Sequence, residues 1–141
     1  MENGKLRNIP YSAEAENFIL GSLLIDQRLA LEYCSRLDVQ DFYVQENKKI
    51  FTAIQNLYQS HVKIEYLSVV EELKRMNEFD AIGKDYLLDL MDILPTIVNA
   101  ESYIEIILQK SLERELYFAI STISQDILTG QTEFEALLAN T

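Results

Sequence analysis

The sequence predicts an all-α protein, a compact globule of about five or six helices followed by a C-terminal helical hairpin. Only four glycines and two prolines occur in 141 residues, which leaves few of the turns that short strands need. Apolar residues recur at the three- and four-residue spacing of helices. Nothing interrupts the helical pattern from Ala100 to Leu128, a segment that would extend roughly 40 Å at helical rise.

The composition is that of a folded domain, with 48% hydrophobic and 25% charged residues. No apolar run approaches the roughly 20 residues of a membrane span. The N-terminus lacks the apolar centre of a signal peptide, and the single Cys34 fits a reducing compartment, so we expect a cytoplasmic protein without membrane contact. A net charge of −11 disfavours a nucleic-acid clamp, because phosphate binding requires a clustered basic face. It favours partners that carry positive charge.

The first helix, predicted over Ala13–Ile25, organises the rest of the chain. Ser12 is a suitable N-cap residue for it. Glu14 and Glu16 place negative charge in the first turn, where the helix dipole favours it. Gly21 lies inside the apolar pattern, and a glycine there indicates close approach of another backbone.

A second helix is predicted over Leu29–Leu37. Arg28, Glu32 and Arg36 follow each other at i, i+4 spacing, which predicts a stripe of mutually supporting charges. Phe42, in the connector that follows, is expected to plug the core.

Three more helices follow in the globule, each predicted from apolar periodicity. The third has the clearest pattern of the chain. These predictions comprise a third helix ending near Ser60, an extended crossing over Val62–Ile64, a fourth helix over Tyr66–Met76 that buries Leu67, Val70 and Leu73, a loop over Asn77–Ile82, and a fifth helix over Lys84–Ile93.

The C-terminal part is predicted to be a hairpin. Its first arm carries apolar residues at spacings of 4, 3 and 4, as in a coiled-coil seam. A capping-box pattern over Thr132–Glu135 starts the last helix, whose two and a half turns are too few for independent stability. We therefore expect either a piece of a longer protein or a last helix that needs a partner. The hairpin either packs on another subunit or folds back on its own domain, and the residues leave both open. The predicted interface residues are Leu116, Ile120, Ile123, Ile127, Phe134 and Leu138.

The sequence contains no pattern that indicates catalysis. Gly83-Lys84 is followed by Asp85 and lacks the rest of a phosphate-binding loop. One histidine, His61, and one cysteine cannot build a zinc site of the usual kinds. Asp85, Asp89 and Asp92 share a helix face that could bind a divalent ion or a basic partner, although a solvated acidic face is favoured. We therefore expect no catalytic, cofactor-binding or metal-ligating residues, and no enzyme activity.

Several short motifs, in order and spacing, resemble the N-terminal domain of bacterial replicative DNA helicases of the DnaB type. Asn47 stands where a histidine is common in that family. The resemblance covers nearly the whole chain and rests on Pro10, Glu14, Ala15, Glu16, Leu20, Gly21 and Ser22, then Asp41-Phe42-Tyr43, Ile50-Phe51, Ala53-Ile54 and Leu57, then Ile64-Glu65, Gly83, Tyr86, Leu87 and Leu90, and finally Pro95, Thr96, Asn99, Tyr103, Lys110, Ser111, Leu112 and Arg114.

The resemblance implies a flexible arm over residues 1–9, a helical globule over 10–98 and a long helix with a truncated hairpin over 99–141. Hairpins would pair between subunits, and the domains would form a collar on a hexameric helicase at the replication fork. The motor that uses ATP and Mg²⁺ and encircles DNA would be absent from this chain. Primase would dock on the collar, and in some species the collar would contribute to binding of the helicase loader.

Two other functions fit the residues less well. The C-terminal helicase-binding domain of a primase has a similar globule and hairpin, but the proline-led opening argues against it. A small acidic, metal-dependent enzyme would use the face of Asp85, Asp89 and Asp92.

Overall fold

Seven α-helices and two 3₁₀ turns are present in the computed structural model, which describes residues 8–93, 100–130, 136, 138 and 139. Over these residues there is no strand, which confirms the all-α prediction. The 3₁₀ turns are Gln27–Leu29 and Val39–Asp41. The helices are α1 Ala13–Ile25, α2 Ala30–Arg36, α3 Gln45–Gln59, α4 Tyr66–Arg75, α5 Phe79–Ile82, α6 Lys84–Met91 and α7 Ala100–Thr129.

The chain divides into two compact units. The larger unit runs from Tyr11 to Ser111, and the second combines the N-terminal segment through Pro10 with the chain from Leu112 onward. Within the second unit, the buried guanidinium of Arg114 donates a hydrogen bond from Nη1 to the carbonyl oxygen of Pro10 at 2.9 Å. The second unit is thus built from both ends of the chain.

The core of the larger unit forms where α1 and α3 pack together, with α6 on α1 and α4 on α3. Ser12 caps the N-terminus of α1, and its hydroxyl accepts a hydrogen bond from the amide of Ala15, as predicted. Phe42 is fully buried and its ring stacks on that of Phe51 with centroids 4.6 Å apart, which confirms the predicted plug. Removing these apolar surfaces from water is the main stabilising contribution to the globule.

Gly21 lies at a close contact between two helices of the larger unit. A Cβ atom at this position would lie 2.2 Å from the carbonyl oxygen of Leu90 in α6. Only a residue without a side chain allows α1 and α6 to come this close, so the predicted backbone approach is confirmed.

Three predictions for the middle of the chain were wrong in detail. Leu67 is 68% exposed, and α4 buries Val69, Val70 and Leu73 instead. Those three side chains share one face, and Leu67 lies roughly a third of a turn away from it at 3.6 residues per turn. The predicted loop over residues 77–82 contains the short helix α5, and α6 ends at Met91 instead of Ile93.

The predicted charge stripe on α2 is present in part, as the ion pair between Glu32 and Arg36, and two other ion pairs accompany it. Arg28 pairs with Asp26, whose carboxylate accepts from the guanidinium at 2.9 and 2.8 Å. Arg36 lies 3.4 Å from Glu32 but makes a two-pronged contact of 2.6 and 2.7 Å with Glu101 in the first turn of α7. The hydrogen bond from Arg36 lowers the pKa of Glu101. Because these groups are exposed, the pair contributes little to stability.

Tyr33 tests how a buried hydroxyl without a hydrogen-bond partner affects stability. Its side chain is buried, burial raises its pKa to about 12, and its hydroxyl has no hydrogen-bond partner among the described residues. Tyr33→Phe keeps the ring and removes that hydroxyl, so we expect the free energy of unfolding to rise by about 1 kcal/mol. Urea denaturation measures the change.

The matched control is Tyr86→Phe. The Tyr86 hydroxyl donates to Oδ1 of Asn47 at 2.7 Å, so its removal should destabilise the protein. An equal loss of stability in both variants would mean that the Tyr33 hydroxyl has a partner in solution.

Candidate subunit-association surface

One face of α7 is apolar and open to solvent. Leu116, Ile120, Ile123 and Ile127 lie on a continuous helix, and each is between 49% and 64% exposed. Their spacing keeps them on one stripe along the helix. Contiguous exposed aliphatic side chains of this kind mark a surface that associates with another apolar surface.

The stripe is longer than the sequence prediction. Leu112 lies one turn before Leu116 on the same face and is exposed to a similar extent. Its spacing of four residues was the signal that could have added it. We name the five residues the association seam: Leu112, Leu116, Ile120, Ile123 and Ile127.

The second arm of the predicted hairpin is described only in part. Leu138 is helical and exposed. Phe134 and the capping-box pattern over 132–135 lie outside the described residues. Beside the seam, Tyr117 and Phe118 contact each other edge to face, with ring centroids 5.2 Å apart, and Phe118 is exposed.

The other candidate residues are not brought together into a site. Asp85, Asp89 and Asp92 are all exposed around α6. Across the described ranges, no group of histidine, cysteine and acidic side chains is arranged to hold a metal ion. His61 is exposed in the turn after α3 with a positive φ of 59°. Cys34 is buried, and burial raises its pKa to about 11, which suits a core residue. No described helix is long and apolar enough to cross a membrane.

Glu16 has a role that the sequence analysis did not foresee. Its side chain is only 1% exposed, and its carboxylate accepts hydrogen bonds from the amides of Tyr43 at 2.8 Å and Val44 at 3.3 Å. Asn47 adds a third bond through Nδ2 at 2.9 Å. Glu16 lies in the first turn of α1. Because α3 begins at Gln45, its buried carboxylate also holds the two residues that lead into α3 and places negative charge near the start of that helix.

Asn47 extends this contact into a network across three helices. Its amide nitrogen also donates to Oδ1 of Asn17 in α1 at 2.9 Å, and its oxygen accepts from Tyr86 in α6. Burial, together with the negative charges of Glu46 and Glu16, raises the pKa of Tyr86 to about 12, so the phenol remains a donor. The network fixes α1, α3 and α6 relative to one another.

Residues 8–109 match the family described as the DnaB-like helicase N terminal domain. The replicative DNA helicase DnaB of Geobacillus stearothermophilus is 32% identical over 130 residues, and the replicative DNA helicase DnaC of Bacillus subtilis is 33% identical over 132 residues. Each alignment covers 92% of this chain and 29% of the relative, so the chain spans less than a third of those proteins.

Two solved structures have a similar fold. The N-terminal domain of DnaB helicase from Mycobacterium tuberculosis has a TM-score of 0.82 at 28% identity, covering 94% of this chain and 96% of that one. The corresponding domain from Helicobacter pylori, described together with its interactions with primase, has a TM-score of 0.68 at 22% identity, covering 79% and 87%. The family match over residues 8–109 decides against the primase-domain alternative.

Proposed function

The chain belongs to the DnaB-like helicase N-terminal domain family, and from that premise we propose that it forms part of the collar of a hexameric replicative helicase. In this proposal an arm over residues 1–9 precedes a globule over 10–98, and residues 99–141 provide the helical hairpin. ATP hydrolysis with Mg²⁺ and DNA unwinding belong to the part of the relatives that this chain does not span. The assembly acts in the cytoplasm, at the replication fork.

The observation that carries the proposal is the exposed association seam. Burying the exposed half of five aliphatic side chains is worth about 1 kcal/mol each, so two copies gain about 10 kcal/mol. Association costs about 4–15 kcal/mol in lost freedom of motion. Seam-to-seam contact alone therefore gives weak association, and we propose that Phe134 and Leu138 of the second arm complete the interface.

Ile120→Asp tests the seam. A charge at its centre would be buried without a partner on association, which costs about 3–5 kcal/mol and should weaken self-association at least about 100-fold. The solution mass, measured by analytical ultracentrifugation across a concentration series, should stay at the monomer value. Since Ile120 is exposed, the monomer should unfold within about 0.5 kcal/mol of the unmodified chain.

Ser121→Asp is the matched control, because Ser121 is exposed on the same helix but away from the seam. It should leave self-association intact. If the unmodified chain self-associates and Ile120→Asp has the same solution mass, the seam is refuted. That result would favour a hairpin that folds back on its own domain.

We also propose that this domain docks primase and contributes to binding of the helicase loader. The Helicobacter pylori relative is described with interactions with primase. The net charge of −11 on this chain suits a partner whose docking surface is basic. Calorimetric titration with the helicase-binding domain of the cognate primase should show saturable binding. If neither this chain nor the full helicase ring bound that domain, primase docking would be wrong.

A further inference from the structure

A second exposed face of α7 lies roughly opposite the association seam. Its members follow each other at spacings of four, three, four and three residues, so they form one stripe along the helix. We name this stripe the Phe118 face and define it by Arg114, Phe118, Ser121, Gln125 and Leu128. Every member after Arg114 is exposed, Phe118 to 49% and Leu128 to 80%. At 3.6 residues per turn, the Phe118 face is turned by roughly 160° from the seam.

The N-terminal segment of the chain is held at the start of this face. The buried guanidinium of Arg114 donates its hydrogen bond to the carbonyl oxygen of Pro10, and the preceding Ile9 is half-buried. The segment through Pro10 belongs to the same compact unit as α7 from Leu112 onward, whereas the earlier turns of α7 belong to the larger unit. This grouping points the residues before Ile9 toward the later turns of α7.

The length of the segment matches the length of the Phe118 face. From Arg114 to Leu128 the helix rises about 21 Å. Residues 1–9 precede Pro10, and nine residues of extended chain span about 30 Å, so the segment is long enough to reach Leu128. Because the segment is tethered at Pro10, its effective concentration at the face is of the order of millimolar, and a weak contact is sufficient to hold it there.

The charges of the segment and of this part of α7 are opposite in sign. The segment contains Lys5 and Arg7 against a single acid, Glu2, with Leu6 between the two bases. Over residues 112–129, α7 has Arg114 as its base and three acids, Glu113, Glu115 and Asp126. Two of these acids, Glu113 and Glu115, flank the Phe118 face on either side. A basic segment with an apolar residue is therefore suited to this face.

We propose that residues 1–7 bind along the Phe118 face of their own chain as a strap. Leu6 shields the apolar part of the face, and Lys5 and Arg7 lie toward its acidic edges. The strap leaves the association seam open to another subunit, because the seam is on the other side of α7. The inference concerns a contact within one chain and does not depend on the proposed function.

A spin label in the segment tests the contact on the full chain. The label is attached at Gly4→Cys, since the natural Cys34 is buried, and it broadens the NMR signals of nearby nuclei. We expect it to broaden the side-chain signals of Phe118 and Leu128. Ile120 lies at nearly the same height as Phe118 but about 10 Å away across the helix, and its signals should be broadened at least about 5-fold less, because broadening falls steeply with distance.

A mixed sample and two variants identify what covers the face. Spin-labelled chain mixed with isotope-labelled chain that carries no spin label should leave the Leu128 signals sharp, because each strap binds its own chain. In the spin-labelled chain, Phe118→Asp should restore the Leu128 signals, and its matched control Ile120→Asp should leave them broadened. Broadening in the mixed sample would assign the face to a second copy. That result, no broadening of Leu128, equal broadening of Phe118 and Ile120, or equal effects of the two variants would each overturn the proposal.

Discussion

Replacing Glu16 by glutamine should lower the free energy of unfolding by about 3 kcal/mol, or the melting temperature by roughly 10 °C. The carboxylate accepts three hydrogen bonds in the buried interface between α1 and α3. Glutamine has the same shape, but it has one acceptor oxygen, and its amide group would face a donor. At least one buried donor, the amide of Tyr43 or the side chain of Asn47, is therefore left without a partner.

Glu14→Gln is the matched control, because Glu14 lies in the same first turn but is exposed. Thermal unfolding followed by circular dichroism should place this variant within about 0.5 kcal/mol of the unmodified chain. If the two variants lost equal stability, Glu16 would act only through the dipole of α1, as the sequence alone suggested.

Gly21→Ala should be similarly damaging, although alanine is the better helix former. The substitution gains about 1 kcal/mol of helix propensity. It also places a methyl group 2.2 Å from the carbonyl oxygen of Leu90, where the neighbouring atom is backbone and cannot rotate away. Helices α1 and α6 must separate, and we expect a net loss of about 2–4 kcal/mol.

Gly83→Ala separates steric contact from backbone strain. Gly83 has a φ of +83° and a ψ of 148°, a combination that side chains disfavour, and a Cβ atom added there would meet nothing within 4 Å, so alanine costs only backbone strain, about 1–3 kcal/mol. Urea denaturation of both variants gives the comparison. A stabilised Gly21→Ala protein would mean that α1 and α6 are further apart in solution than they are here.

The features that the sequence predicted well depend on residues close together in the chain. The bounds of α1, its Ser12 cap and the seam spacing on α7 follow from local periodicity and capping. Gly21 was identified from its misfit within a helical pattern. Its partner Leu90 could not be named, because it lies far along the chain.

The features that the sequence did not reveal depend on tertiary contacts. Glu16 reaches residues 27 to 31 positions away, and Arg36 reaches Glu101 across 65 positions. In the sequence, Glu16 had a plausible local role in the first turn of α1. Only the packing of helices determines which carboxylate is buried, and the exposure of Leu67 has the same cause.

The hydrogen bond from Arg114 to Pro10 forms late during synthesis of the chain. It joins residues 104 positions apart. A ribosome adds roughly 5–20 residues per second, so the N-terminal segment waits about 5–20 s before its partner is made. Closing so long a loop also costs chain entropy, and this entropic cost is smaller once the intervening residues are compact. The contact between the two ends therefore forms late, after the globule between them has folded.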